Sequence, residues 1–211
     1  ASKYDIYYRV HVQDYGWLGW AKNGESSGSE GLSKRLEGIE IRLVKKGQET
    51  PDSTDLPFLS EMISYQTYVQ DYGWQDWKKN GELSGTQGES KRLEGLRINL
   101  YSSLFGDVEY KAHVQNDGWQ DWVSDGEIAG TTGQSKRLEA VKLRLKGAVA
   151  NKYDIYYHVH IQDYGWLDWA KNGESAGSEG CSKRLEGIEI RLVKKGEAAP
   201  GQTQRPFISK S

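Results

Sequence analysis

Tyr8-Arg9-Val10-His11-Val12-Gln13 alternates an apolar set, Tyr8, Val10 and Val12, with a polar set, Arg9, His11 and Gln13. A period of two is that of a strand with one face in a core and the other toward solvent. The pattern returns as Tyr110, Ala112 and Val114 against Lys111, His113 and Gln115, and Ile39, Ile41 and Leu43 alternate with Glu40 and Arg42 in the same way. Between the two alternating stretches lie Asn23-Gly24 and Gly28-Ser29-Glu30-Gly31, which suit a hairpin and a second tight connection. No segment carries a 3.6-residue period, so the chain is read as all-β.

Downstream of each first strand stands Gly-Trp-x-x-Trp, at Trp17/Trp20, Trp74/Trp77, Trp119/Trp122 and Trp166/Trp169, which accounts for all 8 tryptophans of the 211 residues. The first tryptophans lie 57, 45 and 47 residues apart; the longest interval holds the Pro51 to Pro57 segment, read as a linker. All four copies keep Gln13/70/115/162, a Gly-Glu pair, a Gly-x-x-Gly and Ser-Lys-Arg-Leu-Glu. The first and fourth copies are nearly identical at an offset of 149 residues, tails included, which marks a three-repeat module. Residues 1–59 are read as a single repeat with its Pro-containing linker, ending a preceding module, and 60–211 as a complete module. About 46 residues with one apolar face cannot bury that face alone, so copies must pack on copies. The architecture expected is pseudo-threefold and β-prism-like, three sheets around an axis, with a β-trefoil as the alternative. The surplus repeat invites exchange between chains into a homo-oligomer.

Composition removes several function classes. With 28 Lys+Arg against 30 Asp+Glu and a net charge of -2, there is no basic footprint for nucleic acid. No run approaches the roughly 18 to 20 apolar residues of a spanning helix, so no membrane insertion is expected. The single Cys181 supports neither a disulfide framework nor a Cys/His metal site. Ala1-Ser2-Lys3-Tyr4 has no apolar signal region, and the sequence reads as a piece of a longer protein.

Phosphate loops, nucleophile elbows and metal-protease motifs are missing. The same residues recurring four times suit multivalent binding better than catalysis, which needs unequal environments. No enzyme activity and no cofactor are expected. The first tryptophan of each pair is assigned to the core. The second, Trp20, Trp77, Trp122 or Trp169, with Asn23, Asn80, Asp125 or Asn172 beside it, is the candidate ligand site: a flat apolar ring stacks on a sugar while amide and carboxylate groups bond its hydroxyls. Such a site needs the ring open to solvent, whereas a spacer would bury it or leave it between repeats. Arg35/Glu37 and their equivalents are read as semi-buried ion pairs. The parity of Glu37 places it with Ile39 and Ile41 unless a bulge intervenes. His11, His113 and His160, replaced by Tyr68 in the second copy, are assigned to packing, since a metal ligand is seldom exchanged for Tyr.

Tyr110-x-x-His113-Val114-Gln115, the Gly-Trp-x-x-Trp, Asp125-Gly126-Glu127-Ile128-Ala129-Gly130-Thr131-Thr132-Gly133 and Lys136-Arg137-Leu138-Glu139-Ala140 closely resemble the ChW repeat, named for clostridial hydrophobic repeats with a tryptophan. The resemblance covers the chain apart from its linkers. It implies a secreted or cell-surface, non-catalytic interaction module of a Gram-positive bacterium and settles no ligand; the repeated tryptophan sites point to carbohydrate binding or to adhesion to a cell wall or host surface. Its partner would be a surface glycan, a cell-wall polymer or another surface protein. The alternative is a structural spacer or protein-protein assembly module of a surface complex.

Overall fold

The computed structural model describes residues 3–29, 34–49, 57–59, 63–101 and 106–210, in two units, 1–61 and 62–211. Each repeat contributes two long strands. These are β1 (Tyr4–Val12) and β2 (Leu36–Lys45), β3 (Ile63–Val69) and β4 (Leu93–Leu100), β5 (Val108–Val114) and β6 (Leu138–Leu145), and β7 (Tyr153–Ile161) and β8 (Leu185–Lys194). The two strands of a repeat pair antiparallel along their length. Their alternation divides the sheet as the sequence implies: Val108, Tyr110, Ala112 and Val114 are buried, and Glu109, Lys111 and His113 between them are not.

Each pairing breaks register near its end. His11 faces Gly38 while Val12 faces Leu36, leaving Glu37 as an extra residue, and the same step recurs at Glu94, Glu139 and Glu186. This is the bulge that reverses the parity of the Glu. It moves the carboxylate off the apolar face and, in the first, third and fourth repeats, sets it beside the histidine.

Within residues 62–211 the three sheets complete one another cyclically. The short strand Ser84–Gly85 of the second repeat pairs with β8 of the fourth, Ala129–Gly130 of the third with β4 of the second, and Ala176–Glu179 of the fourth with β6 of the third. Each repeat therefore keeps its own sheet and lends an edge to a neighbour. This is a pseudo-threefold, prism-like arrangement, and among the described residues no strand closes a barrel as a trefoil would require. One apolar cluster gathers the inward side chains of all three sheets, among them Tyr65, Ile98, Tyr110, Leu143, Tyr157 and Ile190. Truncating one such side chain to Ala typically costs about 2 to 5 kcal/mol.

The exchange depends on a glycine. A Cβ on Gly85, Gly130 or Gly177 would sit 2.5, 2.4 or 2.4 Å from the carbonyl oxygen of Glu186, Glu94 or Glu139, and all three have positive φ. The first glycine of the Gly-x-x-Gly is thus the point of contact between repeats within residues 62–211. Tyrosine phenols add a second tie. Tyr65 Oη donates to the Glu82 carbonyl of its own repeat and accepts the Ile190 N–H at 3.1 Å; Tyr110 Oη does the same with Glu127 and Ile98.

In residues 1–61, β1 and β2 form the same hairpin with Gly16–Trp17 and Ala21–Lys22 beside it. Gly28–Ser29 pairs in parallel with Phe58–Leu59, as Gly177–Glu179 does with Phe207–Ser209. No donor strand lies on β2 among the described residues. Its apolar residues stand in solvent, Ile39 at 57%, Ile41 at 59% and Leu43 at 72% exposure.

Candidate functional site on the outer faces of the sheets

The first tryptophans are not core residues. Trp17, Trp74, Trp119 and Trp166 pair across strands with His11, Tyr68, His113 and His160, so they share the outward face of that position. Trp166 meets His160 edge to face at 5.5 Å, and the other three pairs repeat the geometry. Glycine leaves room for the ring: a Cβ on Gly38 would meet Trp17 at 3.2 Å. The expectation that they fill the core is corrected by this pairing, which local alternation does not reveal.

Behind each ring runs a polar chain. Arg184 donates to Glu186 through Nε at 2.9 Å, and its Nη2 stands 2.8 Å from the same oxygen. The other oxygen of Glu186 lies 3.1 Å from His160 Nδ1. Arg137, Glu139 and His113 repeat the set, and Arg92 with Glu94 repeats its first half. These are the semi-buried pairs expected. One of them also reaches across repeats, Glu94 accepting the Ser135 N–H.

In the first, third and fourth repeats the second tryptophan returns to the same outer face, and the pair brackets one side chain from the first strand. His158 stacks on Trp166 at 4.3 Å and on Trp169 at 3.8 Å. Arg9 lies over Trp17 and Trp20 at 5.0 and 4.8 Å, and Lys111 over Trp119 and Trp122 at 5.3 and 5.2 Å. Burial between the rings lowers the His158 pKa, against the opposing pull of Glu189. In the second repeat the equivalent position holds the neutral Gln66.

Access to the four second rings differs. Trp20 and Trp169 are buried, at 2% and 7% exposure. Over Trp169 lies the proline-bearing tail: the Trp169 backbone N–H donates to the Gln202 carbonyl at 2.8 Å, Asp168 accepts the Arg205 N–H, and a Cβ on Gly201 would meet the indole Nε1 at 3.0 Å. Trp122 is half-buried, with the Arg144 guanidinium 4.0 Å from its ring centre. Trp77 is 42% exposed, and no cation lies over it among the described residues. Asn99 stands where Arg144 and Arg191 stand in the third and fourth repeats.

The polar residues beside these rings are engaged with backbone. Asn80 Oδ1 accepts the Leu192 N–H at 2.7 Å and Asp125 Oδ1 the Leu100 N–H at 3.1 Å, both across repeat boundaries. Asn23 and Asn172 accept the N–H of Ile6 and Ile155 within their own repeats. Asn172 also donates to Asp154, which faces Lys171 and Lys195. Burial alone would raise the Asp154 carboxyl, but those two ammoniums and the amide outweigh it and hold its pKa at about 2. The structure thus leaves Trp77 and Trp122 the more accessible of the four second rings and uses all four polar residues, Asn23, Asn80, Asp125 and Asn172, as ties.

A family model described as Clostridial hydrophobic W matches residues 11–45, 68–101, 113–147 and 160–194. The chain belongs to the ChW repeat family. Each matched ChW segment begins at the residue paired with the first tryptophan, His11, Tyr68, His113 or His160, and runs to the end of the second long strand or just beyond it. Neither the curated proteins nor the solved structures yielded a match. No helix among the described residues is long and apolar enough to cross a membrane.

Proposed function

We propose that this chain of ChW repeats is a non-catalytic, extracellular binding module that holds a carbohydrate of a cell wall or host surface through its outer-face tryptophans, Trp77 foremost and Trp122 second. The observation that carries the reading is the open Trp77 ring, 42% exposed, with the amide of Asn99 in place of the arginine found in other repeats. An open indole offers a stacking face for the C–H side of a sugar, and uncharged amides near it suit hydroxyls. Trp20 and Trp169 would join only if their cover moved. Binding at one such site is weak, and two linked sites raise apparent strength by roughly 10² to 10⁴ where both engage at once.

An array of glycans and cell-wall polymers, followed by tryptophan-fluorescence titration of any hit, tests this. Trp77→Ala should weaken binding at least tenfold, and Trp122→Ala should reduce it less. A hit indifferent to both variants discards the site. Silence across sugars, peptidoglycan and teichoic polymers, with a protein captured instead, supports the second reading, a spacer or assembly module at the cell surface. Its own support is that Asn80 and Asp125 spend their acceptors on holding repeats together.

A further inference from the structure

We infer that the second repeat carries an open strand-docking edge, at Gly85 with Asp76 and Trp77 beside it, that takes an extended peptide of a partner protein with the chemistry of this chain's own tail, a proline followed by large apolar residues.

The argument starts from what the fourth repeat does with its tail. One edge of its donor strand Ala176–Glu179 lies on β6, and along the other runs Phe207–Ser209 in parallel, Gly177 opposite Phe207 and Ser178 opposite Ile208. The Gly177 N–H donates to the Pro206 carbonyl at 3.0 Å. Asp168 holds the residue before that proline twice, its backbone N–H donating to the Arg205 carbonyl at 3.2 Å and its carboxylate accepting the Arg205 N–H at 2.8 Å. Leu167 belongs to the apolar cluster on which Ile208 packs. The first repeat is built alike: the Gly28 N–H donates to the Pro57 carbonyl at 3.0 Å, Phe58–Leu59 lies parallel to Gly28–Ser29, and Leu18 clusters with Leu59.

The two middle repeats have no such tail. Residues 101–107 and 146–152 lead straight from β4 and β6 into the next long strand, whereas 46–57 and 195–206 lead from β2 and β8 to Phe58 and Phe207. In both, a glutamine, Gln75 or Gln120, replaces the leucine. Gln120 closes the third edge by itself: its Oε1 accepts the Gly130 N–H at 2.7 Å and its Nε2 donates to the Gly130 carbonyl at 3.3 Å. A side-chain amide thus fills the place of a tail.

The second edge has neither. The Thr86 N–H donates to the Glu186 carbonyl on the β8 side, so alternation turns the Gly85 N–H the other way, and Gln75 makes no bond to it among the described residues. Nor is there a partner among them for the Asp76 carboxylate or for the backbone N–H of Asp76 or Trp77. The edge is nonetheless shaped as in the fourth repeat, with φ of +104° and +77° at Gly85 and Gly88 beside +121° and +71° at Gly177 and Gly180. A peptide laid there as the tail lies on the fourth repeat gives a carbonyl to Gly85, has its preceding residue held by Asp76 and crosses the open Trp77 ring. Main-chain bonds of this kind supply affinity, and the side chains that pack beneath select the sequence. The inference does not rest on the carbohydrate reading, and a bound peptide would compete with a sugar for the Trp77 ring.

A labelled peptide with the sequence of residues 198–210, titrated with the 211-residue chain and read by fluorescence anisotropy, tests this. One saturable site per chain is expected, with hydrogen-exchange protection gained at residues 84–87. Asp76 is exposed, so Asp76→Ala should fold, and it should weaken binding about tenfold, the loss of a hydrogen bond to a charged group. Gln75→Leu, which copies Leu18 and Leu167, should strengthen it. No saturable binding to the parent or to Gln75→Leu, binding indifferent to Asp76→Ala, or protection lost at residues 206–209, the mark of exchange with the chain's own tail, would each overturn the inference.

Discussion

Tyr110→Phe removes one oxygen and tests how the repeats are joined. That oxygen donates to the Glu127 carbonyl of its own repeat and accepts the Ile98 N–H of the preceding one at 3.1 Å. The ring is fully buried, and burial pushes the phenol up to about 12, so it stays a neutral donor and acceptor throughout the stable range of pH. Phenylalanine fills the same space but leaves the Ile98 N–H buried without that partner, at about 1 to 3 kcal/mol, while the half-buried Glu127 carbonyl can turn to water. A loss of about 2 kcal/mol is expected in urea unfolding, or several degrees in melting temperature at about 2 to 4 °C per kcal/mol for a unit of this size. The internal control is Tyr8→Phe in the first repeat. Its phenol contacts Glu25 and Gly24 in an exposed setting, where water replaces it, and this variant should lose less than about 0.5 kcal/mol. If Tyr110→Phe stays within about 0.5 kcal/mol of the parent, or if both variants cost the same, the phenol is not the tie described.

Two further outcomes follow from the same ring. Gly130→Ala places a methyl 2.4 Å from the Glu94 carbonyl at a φ of +102°, whereas Gly118→Ala, at +75°, meets nothing within 4 Å. Both variants carry the strain of a positive φ, so calorimetry should find the first worse by the clash alone, about 2 kcal/mol, and equal losses would show that the exchanged strand yields freely. The Asp154 carboxyl, held at about 2 against an ordinary value near 4, stabilises the folded state above pH 4 and loses that contribution as pH falls through 2. The difference between the parent and Asp154→Asn, about 2 kcal/mol at neutral pH, should shrink over that window in acid melts, and a constant difference would refute the assignment.

The period of two in Tyr110 to Gln115 and Ile39 to Leu43 made the strands and their inner faces legible, and the near identity of the first and fourth repeats made the threefold module legible. The site was less so. The two tryptophans of a pair share a face because the first pairs across strands with His113 or its equivalents, a non-local fact that spacing along one strand cannot express. The Glu bulge was visible only as a parity conflict. Gly-x-x-Gly reads as a tight turn until Gly130 is seen against the Glu94 carbonyl. Trp20, Trp77, Trp122 and Trp169 occupy equivalent positions yet differ in access, because what covers them is a tail or a long cation supplied from elsewhere. Ile39 and Ile188 make the same point about the core: burial there belongs to the neighbour, not to the repeat.

The loan of each edge to a neighbour has a kinetic side. Repeats stacked in a row can nucleate anywhere and grow outward. Here the contact of Ser84 with Ile188 spans half the chain, so the ring cannot close until the last repeat has been made. Non-local pairing of this kind slows folding, and on a ribosome β3 to β6 must wait with apolar faces and an unfilled edge bare, the condition in which growing chains go astray. A chaperone that guards this ring would therefore have to act before the fourth repeat emerges, and a premature stop ahead of β8 would yield a chain unable to close its ring.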